Sequence, residues 1–175
     1  MYQIKILITV MLCMASVSAL AQLDSFHAGK TIAHYGQIAT VEGMNPIPKE
    51  SQFKISFDVS KPAAKGEVNR LLDSAARFIN MHTAAGIPME NINLAVVVHG
   101  GAVKDMAKSG DDYAHINAEL IEALSEHGVH FYVCGQSAAY YGVKTGDLLP
   151  GVTMSLSAMT AHALLQQQGY TLNPF

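Results

Sequence analysis

Cys134 and His99 are the residues whose type and setting could carry chemistry. Each ends a short apolar run: Val129-His130-Phe131-Tyr132-Val133 before the cysteine, Leu94-Ala95-Val96-Val97-Val98 before the histidine. Each is followed by glycine. A thiol placed after a strand and before a helix meets the unpaired N–H groups and partial positive charge of the helix start. Both favour thiolate over thiol, which lowers the pKa and raises nucleophilicity at neutral pH. Gly135 would let a substrate or partner approach the sulfur closely. With Gln136 and Ser137 it forms one candidate ligand-binding segment. Gly100-Gly101 form another, which could offer N–H groups to an anion or simply permit a tight turn. If their strands are neighbours, His99 could pair with Cys134 and stabilise its thiolate; otherwise the imidazole would bond the turn backbone. Cys134 is then a buried packing residue, a thiol paired between chains, or a reactive group.

Other chemistries find little in the sequence. There is no G-x-G-x-x-G, P-loop, H-E-x-x-H or C-x-x-C motif. His27, His34, His82, His115, His127, His130 and His162 are scattered. His127 and His130 flank Gly128 as a weak pair, so neither a metal site nor a cofactor is expected. A cysteine hydrolase would need an orienting acid or amide, for which Asp105, Asp147 and Asn80 are candidates without any spacing argument.

These residues must be held by a domain, and the chain has ample material for one. It has 175 residues, half of them apolar, with a formal net charge of −3 and no Lys/Arg block. One domain is expected, without a nucleic-acid or anionic-membrane partner. The first 21 residues differ from the rest. Lys5 is their only charge, an apolar run spans Ile6 to Val17, and Ala19-Leu20-Ala21 precedes Gln22. That is the pattern of a cleavable signal peptide over residues 1–21. The run is short for a membrane span, which needs roughly 20 apolar residues. The chain is therefore expected to be exported, to the periplasm or beyond, without stable membrane insertion after cleavage. Cleavage removes Cys13 and leaves Cys134 as a lone thiol, with no resolving partner for a reductase of the C-x-x-C type.

Residues 22–51 hold Gly29, Gly36, Gly43, Pro46 and Pro48 and are poorly patterned. They are expected to form an arm with one short strand at 37–41. Burial of Phe26, Ile32, Tyr35, Ile38 and Val41 against the domain or a neighbouring subunit is expected. Residues 52–175 form the domain. Phe53–Val59 alternates apolar and polar side chains, as a strand does. A helix is expected from about Lys65 to Ala85, with Val68, Leu71, Leu72, Ala75, Ile79 and His82 on one face. The β-branched run at 94–98 suits a strand covered on both faces. A short helix at 102–107 and a longer one starting at Asp111 or Asp112 follow, the latter ending near Gly128. Strands at 129–133, 151–155 and 170–172 alternate with helices at 137–141 and from Ser157 to Gln168. Alternation of this kind predicts an α/β/α sandwich around a mainly parallel five-stranded sheet. Ligands in such sheets sit beyond the carboxyl ends of the strands, where His99 and Cys134 lie.

From Phe53 onward the chain resembles the DsrE/DsrF-like (YchN-like) family. The matching pieces are Leu94–Ala102, Val129–Val143, Leu148-Leu149-Pro150-Gly151-Val152 and Gln168-Gly169-Tyr170. The most specific is the stretch in which Cys134 is followed by Ala138 and by Gly142-Val143. It looks like the cysteine-to-helix stretch of the sulfur-relay members. In those relatives the cysteine accepts a persulfide sulfur and passes it on, and Cys134 stands at that position here. The resemblance implies a homo-oligomer, a trimer or a hexamer, with a sulfur donor and acceptor as partners. His99 is similar to a recurrent residue of an exported subgroup. The alternative is a non-catalytic oligomeric module of the same fold that binds a small ligand or partner in the cleft, with Cys134 incidental. A thiol-dependent hydrolase is a third possibility.

Overall fold

The computed structural model describes residues 25–108 and 113–173. The expected leader and the helix start expected at Asp111 or Asp112 lie outside the described residues. The arm contributes β1 (Phe26–His27) and β2 (Ile38–Ala39), which pair antiparallel in a small sheet of their own. The domain follows as β3 (Phe53–Val59), α1 (Arg70–Ala84), β4 (Ile92–Val98), a 3-10 segment at Gly100–Met106, α2 (Tyr113–Glu126) and β5 (His130–Cys134). It closes with α3 (Gly135–Tyr141), β6 (Val152–Ser155), α4 (Ala158–Gln167) and β7 (Thr171–Asn173).

The main sheet has five strands in the order β6-β5-β4-β3-β7, and every pairing is parallel. This is the α/β sandwich that the alternation of elements predicts. β4 is central and buried on both faces, as its unbroken apolar run requires. Its even-numbered residues Leu94, Val96 and Val98 join Phe57, Val59, Phe131 and Val133 in the larger core, with Leu72 and Ile79 of α1 and Leu120 and Leu124 of α2. Its odd-numbered residues Ala95 and Val97 face the other way, against Ala161 and Leu165 of α4. α4 leaves β6 at one edge and returns the chain to β7 at the other. It therefore runs across the face that carries the odd residues of β4.

Two departures from the expected elements have local causes. α1 starts at Arg70 rather than near Lys65 because Asn69 is its N-cap: the Asn69 Oδ1 accepts the Leu71 N–H at 3.0 Å. The Asn69 side chain also donates to the Lys61 carbonyl at 2.9 Å and to the Asp105 carboxylate at 2.7 Å. That holds residues 61–69 as a strap at the strand ends. α3 begins two residues earlier than expected, with Cys134 itself as its N-cap. The arm packs only in part as expected. Ile32 and Ile38 are buried and Tyr35 packs on the core, but Phe26 and Val41 are exposed.

The strap makes stability depend on pH. Burial pushes the Asp105 carboxyl above its ordinary value, against the hydrogen bonds from Asn69 and the Ala63 N–H that favour the charge. A raised carboxyl pKa means that the folded state holds its proton more tightly than the unfolded chain. Its contribution is therefore favourable below the unfolded value of about 3.9 and declines as pH rises through the folded value. Asp105→Asn, which keeps an oxygen to accept both bonds, is expected to raise stability near neutrality. That gain should shrink on acidification, measured by urea unfolding at both pH values.

Candidate functional site

The carboxyl ends of β3, β4 and β5 bring the predicted residues to one edge. Val98 pairs with Val133 and Cys134 pairs with Ser155. The His99 N–H continues the ladder by donating to the Val59 carbonyl at 2.8 Å. His99 and Cys134 therefore occupy neighbouring positions on adjacent strands, about 4.8 Å apart across the sheet. By alternation both belong to the face that α4 covers.

Cys134 is only 6% exposed. Burial pushes its thiol pKa up. Hydrogen bonds outweigh this and bring it below the ordinary value: the Ser137 hydroxyl and the N–H groups of Ser137, Ala158 and Gln136 all favour the thiolate. Their geometry falls short of a formal side-chain cap on α3. The Ser137 Oγ itself accepts the Gly100 N–H at 3.0 Å, which leaves its hydrogen for the sulfur. The two glycine segments, Gly100-Gly101 and Gly135-Gln136-Ser137, thus meet around Ser137. Ala158 opens α4, which Ser157 caps through its bond from the Thr160 N–H at 3.0 Å. The sulfur therefore lies by the starts of two helices, one supplied by its own strand and one by the neighbouring β6.

The glycines are there for space. A Cβ on Gly135 would stand 2.7 Å from the Ser155 carbonyl oxygen and 3.2 Å from that of Leu156. One on Gly100, whose φ is +55°, would meet the Ser60 carbonyl oxygen at 2.9 Å. Gly101 sits against the Pro62 ring. Gln136 donates to the Leu156 carbonyl at 3.3 Å. Gly135→Ala is expected to cost about 1–3 kcal/mol, because the atoms in its way are backbone. It should also slow alkylation of Cys134 by separating the two helix starts, as iodoacetamide labelling followed by intact mass would show.

His99 corrects one expectation. The Nε2 of its imidazole is bonded to the Asp58 Oδ2 at 3.0 Å, not to Cys134. The other Asp58 oxygen, Oδ1, is bonded to the His162 Nε2 at 2.8 Å, and the His162 Nδ1 lies 3.3 Å from the Ser56 Oγ. Burial raises the Asp58 pKa, but the hydrogen bonds and charges of His99 and His162 hold it below the ordinary carboxylate value. Asp58 and His162 escape sequence reasoning because they are 104 residues apart. The one signal for Asp58 is a carboxylate next to the end of a strand that heads a parallel sheet.

The other candidates are engaged elsewhere. Asp105 serves the strap, and the Asp147 Oδ2 accepts the Lys144 N–H at 2.8 Å. Asn80 holds the arm, bonded to Ile32, Tyr35 and Gly36. The His127 Nδ1 is bonded to the Ala123 carbonyl at 2.8 Å and His130 is exposed, so the weak pair does not close on a common point. Among the described residues, none of the groups that favour the thiolate is a base, which takes support from the hydrolase reading.

The sequence pattern of the DsrE/DsrF-like family matches residues 54–174. The chain belongs to the DsrE/DsrF-like family. Two solved structures share the fold of this family member. One is the protein of unknown function MTH1491 from Methanobacterium thermoautotrophicum, 18% identical, with a TM-score of 0.55. The other is the ychN protein of E. coli, 19% identical, with a TM-score of 0.53. Each is covered completely by 71% of this chain. At these identities the likeness is one of fold. A comparison with curated proteins found no match. The residues outside the family match include the arm, so the site lies wholly within the DsrE/DsrF-like domain.

Proposed function

We propose that this DsrE/DsrF-like protein handles sulfur through Cys134, which takes a sulfane sulfur from a donor and yields it to an acceptor. The observation that carries the reading is the place of Cys134 at the carboxyl end of β5, as the N-cap residue of α3 and beside the start of α4, with its thiol held below the ordinary value by the neighbouring Ser137 hydroxyl and N–H groups. In the loading step the Cys134 thiolate attacks the outer sulfur of a persulfide, R–S–SH. A new S–S bond forms to Cys134, the R–S bond to that sulfur breaks, and the thiolate R–S⁻ leaves with its electron pair and takes up a proton. Cys134 then holds a persulfide and no net oxidant is needed. His99 is the candidate catalytic side chain beside it. Gly100, Gly101, Gly135, Gln136 and Ser137 are the candidate segments against which a donor would bind beside the sulfur.

The leader pattern supports export to the periplasm or beyond, and the family resemblance supports a homo-oligomer. Fractionation of cells and light scattering of the purified protein test these two readings. The near-complete burial of Cys134 favours the second reading, a binding module in which the thiol only packs. Native thiol reactivity separates the two. Under the sulfur-transfer reading the wild-type thiol titrates below the reference of about 8.5. Ser137→Ala should move it up, because the one side-chain donor to the thiolate is lost. Thiolate absorbance across pH measures both, and a thiol unreactive at every accessible pH would leave only the binding module.

A further inference from the structure

We propose that Asp58 and His162 are positioning residues that hold the His99 imidazole as the proton donor to the thiolate released when Cys134 takes sulfur. The proposal rests on the sulfur-transfer reading. It starts from register. Ser56 pairs with Ala95 and Asp58 with Val97, so both side chains stand on the face of the sheet that α4 covers. His99, two residues beyond Val97, and Cys134, two beyond Tyr132, continue the same face. α4 crosses that face from the β6 edge. Its first residue, Ala158, presents its N–H to the Cys134 sulfur, and one turn later His162 reaches Asp58. One ten-residue helix therefore spans the nucleophile and the carboxylate.

The bonds within the cluster divide the roles. His162 has both ring nitrogens engaged, Nε2 on Asp58 and Nδ1 at Ser56, and its side chain is 15% exposed. It can orient a neighbour but has no nitrogen left for a substrate. His99 has only Nε2 engaged, and its side chain is 32% exposed. Its Nδ1 has no protein partner among the described residues. The Asp58 carboxylate on Nε2 fixes the orientation of the ring and leaves Nδ1 as the nitrogen from which a proton would be delivered. His99 is bonded to Asp58 from β3, whose other oxygen is held by His162 from α4, and it stands opposite Cys134 of β5 in the strand register. The backbones at His99 and Cys134 are one strand spacing apart, about 4.8 Å, so a donor bound at the sulfur would sit beside the His99 position. After attack, the departing R–S⁻ takes the Nδ1 proton and leaves as R–SH, and the neutral imidazole regains a proton from water.

The test uses the purified full chain and aryl persulfide donors whose leaving thiols differ in acidity. Loading is followed as one added sulfur by intact mass. Alkylation by iodoacetamide, whose iodide leaves without a proton, is the control. In the wild type, loading should depend only weakly on leaving-group acidity. His99→Gln, Asp58→Asn and His162→Gln should steepen that dependence and leave alkylation unchanged. A thiolate is a good leaving group, so the loss lies below the usual range of acid–base catalysis, at about tenfold for the least acidic leaving thiol. His162→Asn serves as a second variant should His162→Gln unfold, judged by circular dichroism. Equal losses for every donor, or a matching loss in alkylation, would show a merely structural role and overturn the relay. Normal loading by all three variants would do the same. A wild type that alkylates but never gains sulfur would instead overturn the sulfur-transfer reading, and the relay with it.

Discussion

Cys134→Ser is expected to abolish sulfur loading completely while leaving the protein folded. Serine keeps the size of the side chain and its place among the N–H groups of Gln136, Ser137 and Ala158. Cys134 is the N-cap of α3, a position at which serine is among the preferred residues. Stability should therefore change by no more than about 1 kcal/mol in either direction. A hydroxyl at this site has no thiolate to attack a persulfide, so no S–S bond can form. Treatment with an excess of a low-molecular-weight persulfide, followed by intact mass, gives the answer. Loading that persists in the serine variant would remove Cys134 from the mechanism. Sulfur on the wild type alone, with matching unfolding curves, would place the chemistry on this side chain.

The largest effect on stability is expected at Asn80. Its side chain is buried and serves four backbone groups of the arm. The Oδ1 accepts the Ile32 N–H at 2.9 Å, and the Nδ2 donates to the carbonyls of Ile32, Tyr35 and Gly36 at 2.9–3.0 Å. Burial of Ile32 and Ile38 and a few further hydrogen bonds hold the rest of the arm. Gly36 donates to Asp73, Thr31 and Thr83 share a hydrogen bond, and Arg77 donates to the Gln37 carbonyl. Asn80→Ala leaves buried backbone groups without partners, each at a cost of about 1–3 kcal/mol, so a loss of about 3 kcal/mol is expected. The arm should come free before the domain does. Limited proteolysis would then cut within residues 25–51, while the thiol titration at the far side of the sheet stays as in the wild type. An arm that remains protected in the variant would mean that Ile32 and Ile38 hold it by burial alone.

Much of this was legible in the chain. The strict alternation of Phe53–Val59, the unbroken β-branched run before His99 and the helical spacing between strands determined an α/β sandwich, because side-chain periodicity follows directly from backbone geometry. Residue type also located the thiol at a strand end. Sequence did not show where α1 starts, because Asn69 caps it only once Lys61 and Asp105 are brought to its side chain. Nor did it show the partner of His99. Whether that imidazole turns to Cys134 or away depends on which carboxylate lies beside it, and Asp58 is 41 residues earlier in the chain. Strand order decided it: β3 lies on one side of β4 and β5 on the other, and α4 returns across them to carry His162 to Asp58. Local sequence dictates dihedral angles and which face is apolar; hydrogen bonds between distant polar side chains exist only after the strands have chosen their neighbours.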